Sequence, residues 1–189
     1  MISLTRRQCL AAGTALALGT VVSHPLFAKD LGRVAIVYFS RTGTVHTMAQ
    51  AVAARTGAQV FRIDVKEPYA ADYSDMTDIA RDEVRRNARR ELSTTVGDLS
   101  GFDTIFIGSP YWWGSISVPM NTFLMDHDLA GKQVYPFIAS ASSPADGAIN
   151  RIKTLCPKAM IGKELHVTGS DAGNLEKLVN DWIDQIKAS

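Results

Sequence analysis

The sequence predicts an α/β fold: a three-layer sandwich whose five-stranded parallel sheet, in the order 2-1-3-4-5, carries helices on both faces. Three observations predict it. Short β-rich apolar runs alternate with segments of helical period, the signature of a parallel sheet covered on both sides. The first, third and fourth of those runs each end in a loop of small polar or aromatic residues, as ligand loops at the carboxyl edge of such a sheet do. The 189 residues contain no internal repeat, linker or second domain, and they suffice for one full core.

The first 28 residues stand apart from that fold. Thr5-Arg6-Arg7-Gln8-Cys9-Leu10 carries a twin-Arg pair, an apolar run extends from Cys9 to Val22, and Leu26-Phe27-Ala28 places a small residue before Lys29. This reads as a signal peptide cleaved after Ala28. The run is shorter than the roughly 20 residues a spanning helix needs, so a membrane anchor is the weaker reading. The twin Arg resembles the Tat export signal, although Cys9 and Ala11 depart from its usual large apolar and Lys positions. Tat carries folded proteins, which suits a chain that acquires a cofactor before export, and the expected destination is the periplasm. Cleavage removes Arg6 and Arg7 and leaves 18 basic against 19 acidic residues, a formal charge of −1, which argues against nucleic acid as a partner. It also removes Cys9, so Cys156 remains alone and no internal disulfide can form.

The mature domain, residues 29–189, opens on a strand from about Arg33 to Phe39. The chain then turns through Ser40-Arg41-Thr42-Gly43-Thr44-Val45-His46-Thr47 into a helix from Gly43 to about Thr56, with apolar residues at Val45, Met48, Ala49, Val52 and Ala53 and Gly57 at its end. A strand that passes through small hydroxyl residues into a helix offers unpaired N–H groups and the positive dipole end to an anion. Ser40, Thr42, Thr44 and Thr47 add hydroxyls, and Gly43 admits close approach or left-handed backbone. Neither GxxxxGK[ST] nor GxGxxG follows this strand, so the loop fits a monophosphate held by neutral donors. For this stretch alone, an ordinary turn whose Ser and Thr residues only cap the helix is an equal reading.

A second strand covers about Gln59 to Val65. A long exposed helix follows from Ser74 to Glu91, with Asp82 and Glu83 three or four residues before Arg85 and Arg86. Arg85, Arg86, Arg89 and Arg90 form either a docking patch or, more commonly, a solvated face. The third strand, Asp103 to Gly108, leads into Ser109-Pro110-Tyr111-Trp112-Trp113-Gly114-Ser115, a turn-rich loop holding two of the chain's three Trp residues. They either face the crevice or pack the next helix, Met120 to Asp128, onto the sheet. The fourth strand, Gln133 to Ser140, ends in Ala139-Ser140-Ala141-Ser142-Ser143-Pro144. A helix from about Ala148 to Cys156 places Cys156 on an apolar face with Ile152 and Leu155, as a small buried hydrophobe rather than a nucleophile. A fifth strand, Glu164 to Thr168, precedes a helix from Asn174 to Lys187 in which Leu175, Leu178, Val179, Trp182 and Ile186 share one face, making Trp182 core.

Ser40-x-Thr42-Gly43, the Gly108-Ser109-Pro110-Tyr111-Trp112-Trp113-Gly114 loop and their order resemble the flavodoxins, within them flavodoxin-like domains with a YFSRTGNT start and a PIWWG loop. The resemblance extends over the chain after the signal and includes Glu67-Pro68-Tyr69 with Tyr73 and Asp128-Leu129-Ala130-Gly131-Lys132. It implies a flavodoxin-like fold with FMN as cofactor. Ser40, Thr42, Gly43 and Thr44, with Arg41 and Val45 in the same loop, would hold its phosphate. From the loop Pro110, Tyr111, Trp112, Trp113 and Gly114, Trp112 or Trp113 would lie against the isoalloxazine ring, and Ala139, Ser140, Ala141 and Ser142 would border its other edge. The chain departs from the family pattern at Val45, where a hydroxyl residue is usual, and in the Gly-poor loop after the fourth strand.

The function implied is an exported electron carrier serving redox partner proteins, monomeric and without stable membrane insertion, the flavin supplying the redox chemistry. An FMN-dependent NAD(P)H:quinone-type reductase and a non-flavin ligand-binding module on the same fold are the alternatives. No Ser/His/Asp triad stands out, and His24, His46, His127 and His166 fit no metal-ligand spacing. His46, in the first turn after the loop, either touches the phosphate or crevice rim or is an exposed helix residue.

Overall fold

β1 (Val34–Tyr38) is buried along its whole length, as a central strand must be when helices cover both faces of a sheet. The structure, a computed structural model, describes residues 30–189, so the twin-Arg segment and the cut after Ala28 lie outside the described residues. The chain continues through α1 (Thr44–Thr56), β2 (Gln59–Arg62), α2 (Tyr73–Arg85), β3 (Thr104–Trp112), β4 (Ser115–Ile116), α3 (Val118–Asp126), β5 (Gln133–Ala139), α4 (Asp146–Leu155), β6 (Met160–Ile161) and β7 (Leu165–Val167). A 3-10 turn, Gly169–Asn174, leads into α5 (Leu175–Lys187).

The parallel strands run in the order β2-β1-β3-β5, with β6 and β7 side by side along the outer edge of β5. This is the expected 2-1-3-4-5 order with two refinements. The fifth strand is broken: β6 pairs with Gln133 and Val134, and β7 with Phe137 to Ala139. Only β7 falls within the expected Glu164–Thr168, because a pair of ladder residues at Met160 and Ile161 leaves no periodic signal. The second refinement is β4, which folds back antiparallel on the tip of β3.

Alternate residues along the strands feed two cores. Ala35, Val37, Ile105, Ile107 and Ile138 meet Met120 and Phe123 of α3 and Ile149 and Ile152 of α4. Ile36, Tyr38, Phe106 and Phe137 meet Val45, Met48 and Val52 of α1 and Val179, Trp182 and Ile183 of α5. Trp182 is 3% exposed, its ring edge-on to Phe106 at 5.4 Å, and its Nε1–H donates to the Lys163 carbonyl at 3.0 Å. Cys156 is buried in the first core, which holds its thiol up at about 11 against an ordinary 9.0, mainly through desolvation and secondarily through Asp128.

α2 stops at Arg85 rather than Glu91. Asn87 takes a left-handed φ of 50°, Ala88 N–H donates to the Glu83 carbonyl (2.9 Å) and Asn87 N–H to that of Val84 (3.1 Å), the double closure of a Schellman motif. The four Arg residues therefore do not form one patch. Arg85 and Arg86 are exposed, Arg89 pairs with Asp126, and Arg90 turns inward to Glu83.

Candidate functional site

The carboxyl ends of β1, β3 and β5 open into a cavity of about 600 Å³. Its first wall is the turn from β1 into α1. Gly43 caps the helix with φ 99°, and its N–H donates to Ser40 Oγ at 3.2 Å. The first-turn amides of Thr44, Val45 and His46 have no intrahelical acceptor, so they are available to an anion. The hydroxyls of Thr42 and Thr44 carry no hydrogen bond among the described residues and line the cavity. Val45 has its side chain buried among α1, α5 and the sheet, which explains an apolar residue here: only its N–H serves the loop. Thr47 does not join the donors, because its hydroxyl donates to the Gly43 carbonyl at 3.3 Å. His46 also faces elsewhere, its Nδ1 lying 2.6 Å from the Tyr38 hydroxyl, whose phenol is pushed up by burial. Arg41 reaches sideways, Nη2 donating to the carbonyls of Ala70 (3.2 Å) and Ala71 (3.0 Å), and so ties this loop to the approach to α2.

The second wall is the β3–β4 hairpin. Tyr111 opposes Ile116 and Trp112 opposes Ser115, leaving Trp113 (φ 49°) and Gly114 (φ 85°) as a two-residue turn. Positive φ at both central positions is the I′ pattern whose twist suits a tight hairpin. Asn-Gly is the common choice there, and an aromatic residue at the first position is rare enough to mark a constrained site. The hairpin's base is fixed by Ser109, fully buried, whose Oγ accepts from Ser117 N–H at 2.9 Å. The two Trp residues part company. Trp112 packs edge-on against Phe39 (5.7 Å) and Tyr69 (4.9 Å). Tyr69 is itself held by Glu83 (2.7 Å) and covered by the Arg90 guanidinium at 3.8 Å from its ring centre. Burial and the Glu83 carboxylate push the Tyr69 phenol far above its ordinary range. Trp113 is 51% exposed, donates Nε1–H to the Thr77 carbonyl at 3.0 Å, and has Arg81 5.5 Å from its ring centre. Trp112 is thus the anchored wall of the cavity and Trp113 its rim.

The third wall follows β5. Ala139, Ser140, Ala141 and Ser143 line the cavity, and Ser140 Oγ donates to the Ser143 carbonyl at 2.7 Å, with His166 Nε2 at 2.9 Å. Of the residues singled out in the sequence, Ser40, Arg41, Thr42, Thr44, Val45, Pro110, Tyr111, Trp112, Trp113, Gly114, Ala139, Ser140 and Ala141 meet at this one cavity. Gly43 stands behind it as the helix cap, and Ser142 is exposed while Ser143 takes the lining position. Sequence reasoning missed two further contributors: Tyr73, Met76, Thr77 and Ala80 on α2, and Thr168, Gly169 and Ala172 after β7. Met76 and Ala80 lie one turn apart on the buried face of α2, so their burial was readable although their position at the cavity was not. Among the described residues no group of His, Cys, Asp or Glu could hold a metal ion.

Neutral donors at one end and aromatic or small side chains along the rest suit a ligand with an anionic head and a flat, largely apolar body. Comparison with known proteins is consistent with that shape. The family model described as Flavodoxin matches residues 33–186. A flavoprotein from Bacteroides uniformis ATCC 8492 is 30% identical with a TM-score of 0.69, over 80% of this chain and 99% of that one. A flavoprotein from Lactobacillus acidophilus NCFM, solved in complex with FMN, shares the fold at a TM-score of 0.63 and 22% identity, over 76% of this chain and 98% of that one. An NAD(P)H dehydrogenase (quinone) from Azorhizobium caulinodans is 32% identical over 99 residues, 50% of this chain and 46% of that protein. The chain spans about half the length of the curated relatives it matches.

Proposed function

The chain belongs to the flavodoxin family, and from that membership we propose that it is an exported FMN-binding electron-transfer protein that shuttles electrons between redox partners. One observation carries the reading: a loop of neutral donors and an Arg-flanked aromatic hairpin line a single cavity large enough for a mononucleotide cofactor. The donor chemistry fits FMN. The amides of Thr44, Val45 and His46 with the hydroxyls of Thr42 and Thr44 would hold a phosphate, and Tyr111, Trp112, Trp113 and the Ala139–Ser143 loop would enclose the ring. When bound, the flavin supplies the electron chemistry. The chain's own residues would bind and orient it, and Trp113, exposed at the cavity rim and pinned to the Thr77 carbonyl, would cover the ring there. An aromatic wall disfavours the anionic reduced flavin and would keep its potential low, since Arg41, the one cation in the cavity lining, is turned to the Ala70 and Ala71 carbonyls. The twin-Arg leader supports export after folding, and the periplasm is the proposed location.

The test is the visible spectrum of protein isolated from its own periplasm, with the released cofactor identified by mass. A yellow protein releasing FMN is expected; a colourless protein that also fails to bind added FMN would refute the flavin reading. A second reading, an NAD(P)H:quinone-type reductase, is favoured by the names of the curated relatives. Anaerobic mixing with NADH or NADPH separates the two, because prompt bleaching of the flavin without a partner protein is expected of the reductase and not of the carrier.

A further inference from the structure

Behind the Trp113–Gly114 turn lies a second cavity of about 170 Å³, walled by Glu83, Asn87 and Ala88 at the end of α2, Ser115 and Ile116 of β4, Asn121 of α3 and Arg151 of α4. We infer that it binds one small oxyanion, a carboxylate or a phosphate, and that the bound ion fastens α4 to the hairpin.

Arg151 supplies the charge. Its Nε–H donates to Asn121 Oδ1 at 2.7 Å and its Nη2 to Asn87 Oδ1, so two neutral oxygens fix the guanidinium, and no carboxylate among the described residues pairs with it. Its remaining N–H groups are free to make the fork-shaped, charge-assisted contact that suits an oxyanion. Asn121 supplies the second donor. It is 5% exposed, and because Arg151 fixes its oxygen, its amide nitrogen is left with the Met125 thioether at 3.4 Å, a weak acceptor for so buried a donor. The third is the half-buried Ser115 hydroxyl, which carries no hydrogen bond among the described residues.

The one carboxylate in the wall does not cancel this charge. Glu83 Oε1 accepts from Arg90 Nε at 2.8 Å and Oε2 from the Tyr69 hydroxyl at 2.7 Å, so its charge is met from the other side and the cavity keeps the positive charge of Arg151. The site is also coupled to the main cavity by contact. Arg151 lies one turn after Gly147 on α4, and Gly147 packs so tightly on Gly114 that an added Cβ would sit 2.2 Å from the Gly114 carbonyl oxygen. An ion bridging Arg151 and Ser115 therefore reinforces the contact that sets the hairpin, and by linkage the two ligands would affect each other's affinity reciprocally. The inference stands whether or not the main cavity holds FMN.

The test is a titration of the mature protein, with whatever flavin it carries, with sodium acetate and with sodium phosphate against sodium chloride at matched ionic strength, followed by amide and side-chain NMR signals. At least one oxyanion is expected to give saturable, one-to-one shifts at Ser115, Asn121 and Arg151 that chloride does not. Saturation by acetate alone identifies an organic acid as the ligand class and by phosphate alone a phosphate. Arg151→Gln and Asn121→Ala should each weaken binding by at least about tenfold; if the first does not fold, the second, which keeps the charge, carries the test. Shifts no larger than those of chloride, shifts confined to residues 40–46 of the main cavity, or binding retained in the folded variants would overturn the inference.

Discussion

The two Trp residues that differ most in setting give the clearest contrast between side chains. Trp113 is half exposed at the cavity rim, so Trp113→Ala should leave stability within about 0.5 kcal/mol while weakening FMN and shifting its potential. Trp182 fills the core against Phe106, so Trp182→Ala should cost about 3–5 kcal/mol in urea unfolding with little effect on the bound flavin's spectrum. Unchanged FMN affinity and potential in the first variant would remove Trp113 from the site. The role of Trp182 was legible because helical spacing sorts buried from exposed positions, whereas adjacent loop residues have no period, and nothing in the sequence separates Trp112 from Trp113. Cys156 gives a pH prediction. Its thiol holds its proton up to about 11 in the fold against 9.0 when unfolded, so its contribution to stability is complete below pH 9 and is lost as pH rises from 9 to 11. Urea titrations of the parent and Cys156→Ala should therefore diverge least at the alkaline end, and a stability difference that stays flat across that window would count against it.

At the scale of elements, the hairpin and α4 form one assembly. Gly147 sits in a helix, where Ala would ordinarily gain up to about 1 kcal/mol, but here the added methyl meets the Gly114 carbonyl. Gly147→Ala is expected to destabilise by about 1–3 kcal/mol and to loosen FMN by displacing the turn, read from unfolding and flavin titration on the same samples. A more stable variant with unchanged FMN binding would show that the turn yields freely. Helix positions were legible almost throughout, yet two boundaries were not. The end of α2 depends on Asn87 adopting a left-handed conformation, a turn feature that the charge pattern beyond it disguised. The β4 strand is two residues long and exists only because the turn places Ser115 against Trp112.

For the molecule as a whole, the sheet order and the meeting of three loops at one edge followed from topology alone, since a crevice must form where strand order reverses. The share of the cavity contributed by α2 did not, because it depends on how a helix beyond β2 leans over that edge, which local sequence does not encode. Binding at this cavity should stabilise the whole fold. With free FMN at 100 times its dissociation constant, the expected gain is about 2.7 kcal/mol, visible as a rise in melting temperature that depends on flavin concentration. A midpoint indifferent to added FMN would show that the apoprotein does not bind it. The broken fifth strand has a consequence of a different kind. β6 and β7 are two and three residues long, separated by Gly162, Lys163 and Glu164, and a Cβ on Gly162 would lie 2.2 Å from the Tyr135 ring, so a longer side chain cannot readily be accommodated there. The opposite edge, β2, is only four residues long and carries exposed Gln59 and Arg62. Among the described residues neither margin offers a long, flat row of unpaired amides and carbonyls, the feature by which an edge strand recruits another chain.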